Sequence, residues 1–269
     1  MSSPVAHTTT SARPLDGKRI VLCRPRAQAG DFEAHVRSLG GEPVLAAAIA
    51  VVPPETWTVV DAALRRIETY DAITFTSANA VQALTERADM IGVDRDTIRS
   101  RRLAAVGPAT SAAVGAALRA PDVVPTTHTA ESLAREFSDA RNSRVLFPCG
   151  DLAVDALPSG LRERGAYVDE VVVYRTVPGD GIAAIVAELR AGTVDALLFT
   201  SASAVRFVAG AVADAVDAWP GGVVTACIGP TTADAARAAG FEPDVIAESA
   251  SQNDLVDGVA RWFAVRHRA

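Results

Sequence analysis

The chain repeats itself. Residues 71–81 read D-A-I-T-F-T-S-A-N-A-V and residues 195–205 read D-A-L-L-F-T-S-A-S-A-V, identical at eight of eleven positions with an offset of 124. The same offset aligns Val21-Leu22 with Val145-Leu146, Gly41 with Gly165 and Val44 with Val168. At an offset of 122, Val106-Gly107-Pro108 aligns with Ile228-Gly229-Pro230, and Asp122-Val123 with Asp244-Val245. Matches that keep one order along the chain mark a duplicated unit rather than coincidence. In 269 residues, two such units amount to two small domains.

Each unit has the same coarse order. A short apolar strand and a helix come first (19–40; 144–164), then an extended segment (44–52; 168–177). An amphipathic helix follows, with a strand entering F-T-S and another helix (59–87; 182–213). A strand enters G-P before the next helix (103–119; 223–239), and a last strand and helix close the unit (122–137; 244–264). Strands alternating with helices predict an α/β fold: two doubly wound, flavodoxin-like parallel sheets of four strands each, with helices on both faces. If both extended segments cross between domains, the N-terminal strand and helix pack with the C-terminal half. The expected division is then a disordered tail over 1–16, one domain from 17–43 and 178–269, linker strands at 44–52 and 168–177, and a second domain over 53–167.

Composition removes several function classes. The chain is 49% hydrophobic and 22% charged, enough to build a core. Its net charge of −6 argues against nucleic acid as partner, since that needs a basic patch. No apolar run has the length of a membrane span. Cys23, Cys149 and Cys227 are far apart, and the four His (His7, His35, His128, His267) are scattered, so neither a disulfide framework nor a metal centre is expected. The Ser-, Thr- and Pro-rich first residues lack a signal-peptide pattern, which places the protein in the cytoplasm.

Four polar loops fall where doubly wound sheets bind ligands, at the carboxyl ends of strands. Thr76-Ser77-Ala78-Asn79 and Thr200-Ser201-Ala202-Ser203 each leave a strand and open a helix, as do Gly107-Pro108-Ala109-Thr110 and Gly229-Pro230-Thr231-Thr232. Hydroxyls and free N–H groups at helix starts bind anions, and Gly lets a ligand approach the backbone. Each loop alone reads more readily as a helix cap than as a binding site. Together, paired by the repeat, they would face one cleft and hold a ligand with several anionic groups. None is G-x-G-x-x-G or G-x-x-x-x-G-K-[ST], and no nucleophile elbow or triad can be assembled. An enzyme of this kind works by shaping a reactive substrate.

The motifs F-T-S-A-N-A-V (75–81), A-V-G-P-A-T (105–110), V-V-V-Y-R-T-V (171–177), F-T-S-A-S-A-V (199–205) and I-G-P-T-T (228–232), in this order, resemble the uroporphyrinogen-III synthase family. The resemblance covers about Gly17 to Trp262 and includes L-F-P-C-G-D-L-A-V-D-A-L-P-S-G-L (146–161), although related sequences often carry Arg at the positions of Cys149 and Val154. It implies two α/β domains in the swapped arrangement, joined by a two-stranded linker. It implies a lyase of tetrapyrrole and heme biosynthesis that works without a cofactor. The reaction closes linear hydroxymethylbilane to uroporphyrinogen III, with inversion of ring D and loss of water. The carboxylate-rich substrate agrees with the anion-binding loops.

The resemblance also names Tyr174 as the catalytic residue, a phenol that donates a hydrogen bond to the departing hydroxyl; at an offset of 124 its repeat partner is Ala50. Expected substrate-binding residues are Thr76, Ser77, Asn79, Gly107 and Thr110 in the first repeat, Thr200, Ser201, Ser203, Gly229, Thr231 and Thr232 in the second, and Gly150 in the 146–161 segment. Arg24 and Arg175 join them as candidates for pairing with carboxylates. A monomer is expected. The rival readings are a two-domain small-ligand binding protein and a regulatory paralogue without turnover.

Overall fold

A computed structural model describes residues 13–24, 29–215, 219–249 and 251–266. In chain order its elements begin with β1 (Arg19–Leu22), α1 (Gly30–Ser38), β2 (Glu42–Leu45), β3 (Ile49–Val52), α2 (Thr58–Arg65), β4 (Ala72–Phe75), α3 (Ala78–Met90) and α4 (Arg95–Arg99). Next come β5 (Arg102–Ala105), α5 (Pro108–Ala117), α6 (Ala130–Glu136), β6 (Arg144–Gly150), α7 (Ala156–Glu163) and β7 (Tyr167–Pro178). The chain continues through α8 (Ile182–Ala191), β8 (Ala196–Phe199), α9 (Ala202–Ala213), β9 (Val224–Cys227), α10 (Pro230–Ala238), β10 (Val245–Ile246) and α11 (Gln252–Arg266). These form two compact units. One comprises the residues up to Ala50 together with those from Pro178 onward; the other is Val51–Val177.

In the first unit the strand order is β10-β9-β8-β1-β2, so the N-terminal strand pairs with β8 from the second half of the chain. The neighbouring strands run parallel. Strand alternation sends Val21, Leu197 and Phe199 to one face, where Ile185 of α8, Val205 and Val208 of α9 and Ala236 of α10 cover them. Ile20, Leu22, Leu198 and Ala226 point to the other face, against Phe32 and Val36 of α1 and Leu255, Val259 and Phe263 of α11. Burial on both faces explains why these strands read as apolar runs rather than alternating ones.

The second unit follows the same plan, with order β3-β7-β6-β4-β5. Ile73, Phe75, Leu146, Val171 and Val173 pack under α2, α3 and α5. Ala72, Ala104, Val145, Phe147 and Cys149 pack under α6 and α7, through Leu133, Leu157 and Leu161.

The structure corrects the sequence expectation at four points. First, the repeat register at the start of each unit is displaced by one residue. Asp195 N donates to Arg19 O, and Asp71 N to Arg144 O; Gly40 N donates to Arg37 O, and Gly165 N to Arg162 O. Gly40, not Gly41, is therefore the counterpart of Gly165, and both are left-handed, at φ 96° and 90°. Likewise Val21 stands where Leu146 stands, beside equivalent positions of the neighbouring strand. An apolar strand matches itself almost as well when slipped by one, which is why identity alone misplaced it.

Second, each sheet has five strands instead of four. The segments expected as linkers supply the extra ones: 44–52 is split between β2 and β3, and 168–177 is most of β7, paired with β6 from Tyr167 to Tyr174. Third, Val123, the counterpart of β10, forms only an isolated bridge to Ala104. Fourth, the expected tail is ordered at its end. Leu15 is fully buried with Phe32 and Val36, and its N–H donates to Leu39 O at 3.1 Å; such burial contributes roughly 1.5–3 kcal/mol. The rest of the expected tail, residues 1–12, lies outside the described residues.

Candidate functional site

In the second unit, Ser77 is the N-cap of α3. Its extended backbone (φ −147°, ψ 148°) turns Oγ inward to accept the Ala80 N–H at 3.1 Å. The same Oγ lies 3.2 Å from the Tyr174 hydroxyl. Tyr174 is half-buried, its ring against the apolar layer under α3. Thr76 and Asn79 flank the cap and are partly exposed.

The Tyr174 ring reaches that position through a fault in the strand pairing. Along β6 and β7 the register runs Cys149 to Val172 and then Gly150 to Tyr174, which leaves Val173 as an extra residue. Such a slip re-aims the side chain beside it. The ring comes to lie over Gly150. A Cβ there would meet Tyr174 Cζ at 2.5 Å and its hydroxyl oxygen at 2.8 Å. Only a glycine leaves that space.

The second loop of this unit starts α5. Gly107 is the extended N-cap, Pro108 occupies the first helical turn, and Thr110 is buried. His128 packs over it, 3.2 Å from where a Gly107 Cβ would stand. Arg175 is not poised alone: Nη1 pairs with Glu55 Oε1 at 3.0 Å, and Nε donates to Pro53 O at 3.4 Å.

The first unit repeats the caps without the phenol. Ser201 caps α9, accepting the Ala204 N–H at 3.2 Å. Its Oγ meets Ser203 Oγ at 3.2 Å, where Ser77 meets Tyr174. Thr200 precedes it, partly exposed. Gly229 is the extended N-cap of α10, followed by Pro230, exposed Thr231 and buried Thr232. Arg24, just past β1, is half-buried, and that burial pulls its guanidinium below the ordinary arginine value.

Two residues beside Tyr174 escaped the sequence reading. Asp151 N donates to Tyr174 O at 3.1 Å, and Asp151 Oδ1 accepts the Thr176 N–H at 2.8 Å. The Gly-Asp pair that ends β6 was the available signal.

The family model described as HEM4, uroporphyrinogen-III synthase HemD, matches residues 30–257. The chain belongs to the uroporphyrinogen-III synthase family. Uroporphyrinogen-III synthase of Synechococcus elongatus is 28% identical over 262 residues, covering 93% of this chain and 97% of that protein. The porphyrin biosynthesis protein HemD of Ruminiclostridium josui is 27% identical over 248 residues, 91% of this chain but 48% of that longer protein. A mutant uroporphyrinogen III synthase of the extremely thermophilic bacterium Thermus thermophilus has the same fold, with a TM-score of 0.67 at 24% identity over 93% of this chain and 99% of that one.

Uroporphyrinogen-III synthase is a cyclising lyase of tetrapyrrole biosynthesis, and this chain has the two-sheet α/β architecture of the family. Among the described residues no group of three His, Cys, Asp or Glu is placed to hold a metal ion, and no helix is long and apolar enough to cross a membrane.

Proposed function

We propose that the chain closes linear hydroxymethylbilane to uroporphyrinogen III, inverting ring D and releasing water, with Tyr174 assisting departure of the terminal hydroxyl. The observation that carries the assignment of Tyr174 is its 3.2 Å contact with Ser77 Oγ. Ser77 Oγ already accepts the Ala80 N–H. Its own O–H is thus available to donate to Tyr174, which leaves the phenolic hydrogen for the leaving group. The hydroxyl departs with a pyrrole N–H proton as water, giving an azafulvene. Ring D then attacks through a spiro intermediate before the macrocycle closes.

Carboxylates of the substrate are held at the helix starts of each unit: Thr76, Ser77, Asn79, Gly107 and Thr110 in one, and Thr200, Ser201, Ser203, Gly229, Thr231 and Thr232 in the other. Each combines a hydroxyl or a bare glycine with free helix N–H groups. Gly150 takes part by leaving room for the Tyr174 ring that meets the substrate, and Arg24 is a carboxylate partner. Arg175 takes that role by exchanging Glu55 for substrate. A protein of charge −6 does not attract such an anion over distance, so short-range groups do the binding. We read the protein as a cytoplasmic monomer without a nucleic-acid partner.

A binding protein or a paralogue without turnover is not favoured, because a relative matched over nearly its whole length carries the synthase name. The test is to incubate the purified protein with hydroxymethylbilane, oxidise the products and separate the isomers. Excess type III is expected; type I alone would return the reading to a binder or an inactive paralogue.

A further inference from the structure

We infer that Asp151 is a positioning residue for Tyr174, acting as a hydrogen-bond acceptor and not through its charge; this rests on the role proposed for Tyr174 above. The two contacts of Asp151 grip β7 at Tyr174 itself and two residues beyond it. Its amide donates to the Tyr174 carbonyl at 3.1 Å, and its Oδ1 accepts the Thr176 N–H at 2.8 Å. This clamp sits immediately after the slip that makes Val173 the extra residue opposite Gly150.

A slip of this kind removes regular ladder bonds, so the bulged strand needs other partners to hold one conformation. Asp151 supplies two. Gly150 forms the floor under the ring and Ser77 meets the hydroxyl. Without the carboxylate arm the backbone at Thr176 loses its acceptor, and Tyr174 keeps only the backbone bond from Asp151, the contact with Ser77 and its packing. A displacement of about 1 Å in a catalytic group is enough to cost on the order of 10²-fold in rate.

The experiment measures type III formation in the full-length protein. Asp151→Ala is expected to lower kcat about 10²-fold while KM changes less than about threefold, because Asp151 is not assigned to substrate. Asp151→Asn, whose amide oxygen can still accept the Thr176 N–H, should stay within about threefold of the parent. Asp151→Leu, close in shape but without an acceptor, should repeat the alanine result and covers the case of an alanine variant that folds poorly.

The deciding measurement places Asp151→Ala in a Tyr174→Phe background. If Asp151 acts through the phenol, the second change adds less than about a threefold loss there. An equal loss in both backgrounds, or an asparagine variant as slow as alanine, overturns the inference. So does a full-rate alanine variant beside a slow Tyr174→Phe, which leaves the role of Tyr174 standing. A full-rate Tyr174→Phe instead overturns the role of Tyr174 itself, and the positioning role with it.

Discussion

Ser77 Oγ and the Tyr174 hydroxyl, 97 residues apart in sequence, stand 3.2 Å from one another. The repeat-related Ser201 makes its corresponding contact to Ser203, only two residues away. The duplicated units thus share a cap but not a phenol, and the asymmetry puts the proposed chemistry in one unit.

Tyr174→Phe removes one oxygen and keeps the packing. Turnover should fall by up to roughly 10²–10⁴-fold, the range for lost general-acid help, with the product still type III. The check is kinetics on fresh hydroxymethylbilane with isomer analysis. Turnover at the parent rate would leave the ring as packing only.

Ser77→Ala should show two separable effects. Loss of the cap bond to Ala80 costs about 1 kcal/mol of stability, read from denaturant unfolding. Loss of the partner of Tyr174 should also slow turnover. Ser201→Ala removes a cap of the same kind, so it should match the stability change with a smaller effect on rate.

Gly150→Ala tests the floor of the site. The new methyl group would lie 2.5–2.8 Å from atoms of the Tyr174 ring, so the ring must move. We expect lower activity and a lower melting temperature. Gly115, inside α5, has nothing within 4 Å of its missing Cβ. Gly115→Ala should therefore stabilise the protein by about 0.5–1 kcal/mol and leave turnover unchanged.

The three cysteines should be unreactive in the folded protein. All are buried. Burial pushes the Cys149 thiol up to about 11 and Cys227 to about 12, and raises Cys23 further still. At pH 8 a thiol reagent should label none of them within minutes and all three in denaturant. Rapid labelling of Cys149 in buffer would contradict the packing around β6.

Tyr70 should limit stability at alkaline pH. It is held protonated by burial first and by its 2.6 Å bond to Asp169 Oδ2 second, which push it up to about 12. The unfolded chain releases this proton near pH 10, before the folded one does. Its contribution is thus whole below about pH 10 and lost between about 10 and 12. Tyr70→Phe should flatten that part of the stability curve, as read by chemical unfolding at pH 9 and 11.

Much of this was legible because the signals were local. Ser77 and Ser201 are caps by their own chemistry, and the alternation of apolar strands with helices announced the layered fold. Leu15 was hidden because a single apolar residue in a polar stretch has no periodicity. The register at Gly40 was missed because apolar strands resemble themselves when slipped. The partners of Tyr174 were only half visible. The bond from Asp151 to Thr176 depends on how β6 and β7 pair, and the Arg175–Glu55 pair joins residues 120 apart in sequence.

The strand order of the first unit has a consequence for synthesis. Arg19 N–H and its acceptor on Asp195 are 176 residues apart, and β8 is the neighbour on which β1 closes. The unit formed by Val51–Val177 can close while the ribosome is still making the remainder. Until β8 emerges, the first strand and helix wait with one edge of β1 and the apolar faces of Leu22 and Phe32 uncovered. Such non-local pairing is slow and leaves the waiting segment open to wrong partners. Newly made chains should therefore depend on chaperones for their oldest residues, and a circular permutant that starts near Pro178 and joins the old termini should lose that dependence.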